Sequence, residues 1–478
     1  MVNRPRTVSI HILNDDSLLH VFRLYRPFLF GEDQDDSPRF FGGDERWVRG
    51  HWWYKPAHVC RRWRNIIFGS ASYLGLSLVI TNGTPVADML THSSPLPLAI
   101  DYSEKGHDIS AEDEEGSILA LRQRDRVRRV RLYLPVRDLQ KLIVAMDDEY
   151  PILEYLIIVR SFKDTDTSLI FPETLQAPHL RHLTLRGFAL PIGSRLLTTA
   201  VGLVTLYLVM VHPSTYFHPN TLLQWISSMP QLETLVVGFS KPVPGHDVGS
   251  QLTHTPITTL VTLPNLLYFM FQGVSTYLEA LVHRITSPRL EKLEIIFFNQ
   301  LTFSVPRLLQ SIITTENLRF DSVGFNFSDE KVGAALCLHE EFEMFAAAIV
   351  VSCCHLDWQV SSMAQIFNSL SQVFSAVEHL TLEHDVHSQS SEEHNEVDRT
   401  EWRKLLRPFT SVNTLWIEDG LVDELSRCLE FKDGELPLEL LPELQELGYS
   451  GSGDTGGAFT SFIDARQNAG QPVTLVRR

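Results

Sequence analysis

Three stretches of the sequence hold residue types that could do chemistry. The first is "YSGSGDTGGAF", where Gly451, Gly453 and Gly456 form a G-x-G-x-x-G run after a strand pattern and before a helix pattern, the context of a dinucleotide-binding turn. The acidic residue that would hold the ribose belongs about 20 residues further on, and "QPVTLVRR" offers none there. The run reads instead as a glycine loop between a strand and a helix carrying Phe459, Phe462 and Ile463, with a closing strand near Val473. The second stretch, residues 383–398, gathers His384, His387 and His394 among carboxylates. These are zinc-ligand types, but their Ser- and Gln-rich setting predicts a loop without preset geometry. The third is the vicinal pair Cys353 and Cys354, which follows the apolar run "FAAAIVV" and reads as core thiols. Neither a G-x-S-x-G nor an H-E-x-x-H pattern occurs. The expectation is a non-catalytic chain with no cofactor and no metal.

Composition narrows the class further. The 478 residues are 44% hydrophobic and 21% charged, which predicts a large core. A net charge of −17 argues against a nucleic-acid partner, because phosphate neutralisation needs concentrated Lys and Arg. The five cysteines form no CxxC pair, so a reducing compartment is expected, in cytoplasm or nucleus. No apolar run approaches the ~20 residues of a membrane span, and the first residues lack the apolar core of a signal peptide.

The elements that would position any site come from a repeat. The pattern apolar-x-x-apolar-x-apolar starts at Val127, Leu153, Leu180, Leu203, Leu232, Leu266, Leu290, Phe320, Val377, Val412 and Leu444, with a degenerate copy at Val351. The twelve starts lie about 29 residues apart on average, and single intervals run from 23 to 35. Six copies carry proline two residues ahead: Pro151, Pro178, Pro230, Pro264, Pro288 and Pro442, residues suited to a strand entry. Helical patterns lie between copies: Leu222, Leu223 and Ile226; Leu278, Leu281, Val282 and Ile285; Trp402, Leu405 and Leu406. No such unit buries its own apolar face, whereas stacked units share one core. The pattern resembles a leucine-rich repeat, without the usual Asn or Cys late in the motif. The resemblance implies an α/β fold over residues 121–478, an irregular solenoid with a parallel concave sheet and outer helices.

Ahead of it, residues 1–75 predict a small helical module, and residues 76–120 a connecting segment. Asn14, Asp15 and Asp16 cap a helix whose Leu18, Leu19, Phe22 and Tyr25 share a face; Val59, Cys60, Trp63, Ile66 and Ile67 make a second stripe. Leu13-Asn14-Asp15-Asp16, Leu18-Leu19-His20-Val21-Phe22 and Val59-Cys60-Arg61-Arg62-Trp63 resemble an F-box, and the layout is similar to the large F-box-like families of mushroom-forming fungi. Asn14 stands where the motif prefers proline, and an acidic, then Trp-rich insertion at 31–54 splits it.

The resemblance implies a substrate-recognition subunit of a cullin-RING ubiquitin ligase. Leu13, Leu18, Leu19, Phe22, Val59, Cys60 and Trp63 would bind the Skp-type adaptor or form the F-box core. A protein substrate of unknown identity would lie on the concave face. The alternative is a repeat scaffold whose altered F-box does not engage the adaptor. Strand alternation assigns to that face Tyr155, Ile157, Val159, Tyr207, Val209, Val236, Tyr268, Met270 and Trp416. Arg129, Arg131 and Arg186 lie toward its first end, and Glu383 and Glu418 toward its last. The run Arg122, Arg124, Arg126, Arg128, Arg129 and Arg131 follows the acidic stretch 108–117. It would either pair locally or contact an acidic or phosphorylated partner.

Overall fold

Each repeat begins with a turn. In the computed structural model, the backbone N–H of Leu153, Leu180, Leu232, Leu266, Leu290 and Leu444 donates to the carbonyl three residues earlier. The proline two residues ahead of each therefore sits inside this turn, where its fixed φ suits the second position. It belongs to the turn and not to the strand entry. The structure describes residues 13–25, 52–92, 96–102, 109–160, 169–191, 193–211, 217–240, 258–338, 345–385, 397–431, 438–450 and 457–477. Residues 31–51 of the insertion, the glycine run 451–456, and His387 and His394 lie outside them.

The fold is mixed α/β, with mostly parallel sheet and helices, in two compact units: residues 1–201 and 202–478. The first unit opens with helices Asp15–Tyr25, Tyr54–Ala57, Arg61–Gly69 and Ala71–Leu74. Five parallel strands follow, paired in chain order: Leu78–Ile80, Leu98–Tyr102, Val127–Leu134, Tyr155–Arg160 and His182–Arg186. The first two lie in the segment expected as a connector, so the sheet starts about 50 residues earlier than the repeat pattern suggests. "LSLVI" and "LPLAI" are too short to show the full motif, but Leu78, Ile80, Leu98 and Ile100 are buried like the repeat leucines. Helices Val86–His92, Ala111–Leu121 and Val136–Val144 connect the first strands.

Among the described residues of the second unit, eleven strands form the sheet. Thr205–Val211, Thr234–Phe239, Tyr268–Gly273 and Lys292–Phe298 run parallel in chain order. His379–Asp385, Thr414–Ile417, Glu446–Tyr449 and Thr474–Arg477 do the same at the other side. Between the two sets the order is Phe345–Ser352, Lys331–Cys337, Ser322–Ser328. Lys331–Cys337 is antiparallel to both neighbours, a correction to the all-parallel sheet expected. Asp329 and Glu330 make the tight turn between its first two strands, and Ser328 Oγ donates to the Lys331 carbonyl at 2.9 Å. The repeat start at Val351 is thereby corrected: this residue is near the end of a strand that returns from the hairpin, and no strand begins there. The start at Phe320 shifts as well, because Leu318 is the buried residue whose N–H closes the turn, onto Thr315.

The repeat positions stack in register. Leu206 pairs with Leu235, Leu235 with Phe269 and Phe269 with Leu293; farther on, Leu380, Leu415 and Leu447 align. Leu153, Leu180, Leu203, Leu232, Val377 and Val412 are completely buried. Burying each such side chain contributes about 1.5–3 kcal/mol, which is why this pattern repeats while the residues between the leucines vary. The helices cover the same side: Leu222, Leu223, Ile226, Leu278, Leu281, Val282, Trp402, Leu405 and Leu406 are all buried, as their spacing predicts. Ile285 is the exception. Its helix, Ser275–Val282, ends before it, and Ile285 pairs in a short strand with Val261. The closing helix Thr460–Asn468 and strand Thr474–Arg477 are present as the sequence predicts. No helix among the described residues is long and apolar enough to cross a membrane.

Candidate functional site

Two surfaces are built from residues with binding chemistry: the N-terminal helices, and the open sheet face formed by the residues that alternate with the buried leucines.

Helix Asp15–Tyr25 starts where Asn14 Oδ1 accepts the Ser17 N–H at 2.8 Å. It packs on Arg61–Gly69, whose first turn is capped by Cys60 Sγ accepting from the Trp63 N–H at 3.5 Å. Leu18, Phe22 and Ile67 are buried, and the Trp63 ring meets the Phe22 ring edge-on at 4.9 Å. Leu19, Cys60 and Trp63 are half-buried. Arg62 joins the two helices by donating to Asp15 Oδ1 and to the Leu13 carbonyl, at 2.7 and 2.6 Å. Arg62 is thus a clamp between the two helices. Val59 and Tyr25, expected on the buried stripes, are instead 61% and 57% exposed. Val59 precedes the helix, where 100° spacing no longer governs direction, and Tyr25 closes the last turn of its own. With Val21 and Leu24 they give this small module exposed apolar side chains beside a filled core.

On the first unit's open face, three rows follow from the strand register. Arg129, Tyr155 and His182 align, then Arg131, Ile157 and Thr184, then Tyr133, Val159 and Arg186. The Arg129 guanidinium lies 4.7 Å over the Tyr155 ring, which stacks on His182 at 4.4 Å with only 9° between planes. Burial, then the Arg181 and Arg129 charges, hold the His182 imidazole below its usual range. Val159 and Arg186 are buried and so are not open docking residues; Tyr155, Ile157, Arg129 and Arg131 are half-buried. Of the arginine run, Arg124, Arg126 and Arg128 have local partners within the first unit that fix their side chains. Arg124 meets Asp147 and Asp148, Arg128 meets Glu154 at 2.8 Å, and Arg126 donates to the Leu96 carbonyl at 3.1 Å.

On the second unit's face the central row reads Tyr207, Val236, Met270, Glu294, Ala348, Ala335, Gly324, Thr381, Trp416, Gly448 and Val476. Val236 and Met270 are fully buried, 0% and 4% exposed, which corrects their assignment as open binding residues. Strands lie about 4.8 Å apart, so bulky side chains in one row cover one another. Tyr207, Val209, Tyr268 and Trp416 remain half-buried, as do Glu383 and Glu418. Sequence reasoning missed Glu294 and Lys292. The Tyr268 hydroxyl donates to Glu294 Oε2 at 2.7 Å, and Lys292 Nζ lies 4.0 Å over the Phe345 ring. Burial and then the Glu294 carboxylate push the Tyr268 hydroxyl well above the usual phenol range. Glu294 follows the second apolar position of its repeat just as Tyr207 and Met270 follow theirs, so aligning the copies would have found it. Beyond the middle the row is small residues, and the Trp416 ring lies across Gly448, where an added Cβ would come within 2.3 Å of it.

Among the described residues no group of three or more His, Cys, Asp and Glu is placed to hold a metal ion. Cys353 is buried and its thiol pushed up by burial, but Cys354 is exposed, so the pair is not a pair of core thiols. Compared with known proteins, the chain matches no protein-family model and no curated sequence.

Proposed function

We propose that the chain is the substrate-recognition subunit of a cullin-RING ubiquitin ligase. Its N-terminal helices act as an F-box that docks a Skp-type adaptor, and its strand–helix units act as a leucine-rich-repeat-like solenoid that holds a protein substrate on the sheet face. The observation that carries the reading is the helical module. Leu18, Phe22, Trp63 and Ile67 fill its interior, and Val21, Leu24, Tyr25 and Val59 remain exposed. Exposed apolar groups on so small a module favour burial by a partner, and two of them, Val21 and Val59, fall within the segments that resemble the F-box.

Val59→Asp with Leu24→Asp tests this. Both side chains are exposed, so the melting temperature should stay near wild type, while co-purification of the adaptor with the full chain is lost. Unchanged adaptor capture would refute the docking surface. Failure of wild type to capture adaptor at all would favour the alternative, a repeat scaffold whose split motif no longer engages it.

A further inference from the structure

Over the antiparallel hairpin, the open face of the second unit is floored by glycine and alanine. Ala348, Ala335 and Gly324 lie in register between Glu294 and Thr381, and Val350, Gly333 and Asn326 between Ile296 and Glu383. Glycine inside a strand weakens it, and it marks a bulge or a place where another backbone comes close. No bulge accounts for these two. The register shift between the hairpin strands falls at Leu336 and Cys337, and neither Gly324 nor Gly333 has a positive φ. Elsewhere on the face a neighbouring side chain fills the space over a glycine: Trp416 over Gly448, and Gln272 with Val209 over Gly238. A Cβ added at Gly333 would meet, among the described residues, Val350 alone, at 3.8 Å. The space above the hairpin is open.

Shape and charge narrow the occupant. Strands Phe345–Ser352, Lys331–Cys337 and Ser322–Ser328 make the floor. The strands on either side, Lys292–Phe298 and His379–Asp385, therefore lie about 19 Å apart, four spacings of about 4.8 Å. An α-helix with its side chains is about 10–12 Å across and fits between them. An extended segment would find no free backbone groups on strands already paired at both edges, whereas a helix satisfies its own. The walls are acidic. Among the described residues neither Glu294 nor Glu383 pairs with a cation; Glu294 accepts the Tyr268 hydroxyl, and Glu418, beside Glu383, accepts the His384 N–H. Lys292 lays its ammonium over the Phe345 ring, and Lys331 is exposed at the hairpin tip next to Asp329 and Glu330. Such walls suit a partner that carries cations along its flanks.

We propose that this trough seats an amphipathic helix of the protein partner, its apolar stripe on the Gly and Ala floor and its flanking Lys or Arg side chains on Glu294 and Glu383. This deepens the reading of the sheet as the substrate-holding surface and rests on it.

The test uses the full chain and a fluorescein-labelled helical peptide of Leu, Ala and Lys, with Lys on both flanks of a single Leu stripe, followed by anisotropy. Binding is expected, weakening as salt screens the charges. Gly333→Val puts a β-branched side chain opposite Val350 in open space, so the melting temperature should hold or rise. Its clash with the helix should raise Kd about tenfold or more. Glu294→Gln with Glu383→Gln keeps the shape and the acceptor for Tyr268, and should weaken binding and flatten its salt dependence.

Unchanged affinity in Gly333→Val overturns the proposal, and so does a fall in its melting temperature, because the space would then not be open. Equal binding by the same peptide with Glu in place of Lys, or with a central proline that breaks the helix, also overturns it. Adaptor co-purification is read separately. If the adaptor is captured and the Lys peptide is not, this inference alone falls; if the peptide binds and the adaptor does not, the ligase reading falls.

Discussion

His182 couples the sheet face to pH. Burial, with Arg181 and Arg129 nearby, holds its folded pKa below the ordinary value of about 6.5. The unfolded chain therefore takes up the proton more readily. The stability this residue contributes is present above about pH 6.5 and is lost as pH falls through the folded value. His182→Phe keeps a ring to stack on Tyr155 and removes the titration. The variant should lose less melting temperature than wild type between about pH 7.5 and about pH 5.5. His218, also lowered by burial, caps a helix by accepting the Asn220 N–H at its Nδ1 and still titrates, so the acid loss shrinks without vanishing. An identical loss in wild type and variant would show that the stack does not sense the proton.

At the scale of elements, the antiparallel hairpin is the place where the repeat is interrupted, and side chains from neighbouring elements hold it. Gln359, buried in helix Leu356–Ser369, donates from Nε2 to the carbonyls of Ser328 and Cys353, both at 2.7 Å. One amide thus ties the hairpin turn to the end of the returning strand. A comparable device joins successive helices. Glu279 accepts the N–H groups of Arg307 and Leu308 at 2.9 Å each, capping helix Pro306–Thr314 in place of a local Ser or Asp. Gln359→Leu keeps the bulk of the residue and leaves two carbonyls without their donor, which should cost about 1–3 kcal/mol. Urea denaturation measures this directly. A loss under about 0.5 kcal/mol would mean that water or a relaxed backbone replaces the amide.

For the molecule as a whole, stability depends on each sheet unit covering the next. The last helix does this with Phe462 and with Arg466, which is completely buried. The Arg466 guanidinium donates to the carbonyls of Leu441, Pro442 and Leu444 at 3.2, 3.0 and 3.0 Å, stitching the turn ahead of strand Glu446–Tyr449. Deleting residues 457–478 removes that cover and leaves Glu446–Tyr449 as an unpaired edge with an apolar side. Such edges pair with other chains. The truncated chain should melt several degrees lower and elute as oligomers on size exclusion. A monomer with the wild-type melting temperature would show that this last helix and strand are not part of the stabilising stack.

Periodic burial was legible in the sequence because it is local. Leu153, Leu180, Leu203, Leu232 and their equivalents had to be apolar to share one core, and their spacing revealed the α/β units, the helices between them and the closing strand. The cores of both N-terminal helices were legible for the same reason, through Leu18, Phe22 and Ile67. Register and pairing order were decided by the tertiary structure. The short strands at 78–80 and 98–102 carry too few residues to show a period. The hairpin at 322–352 keeps ordinary alternation while changing direction and neighbours, which no single segment encodes. The binding face depended on both. Alternation names the residues that leave the leucine side, but the residues across the next strand decide whether each stays open. Tyr207 remains half-open, whereas Val236 and Met270 in the same row are covered. The Arg129–Tyr155–His182 stack joins residues 26 and 27 positions apart in sequence, and pairing in register is what brings them together.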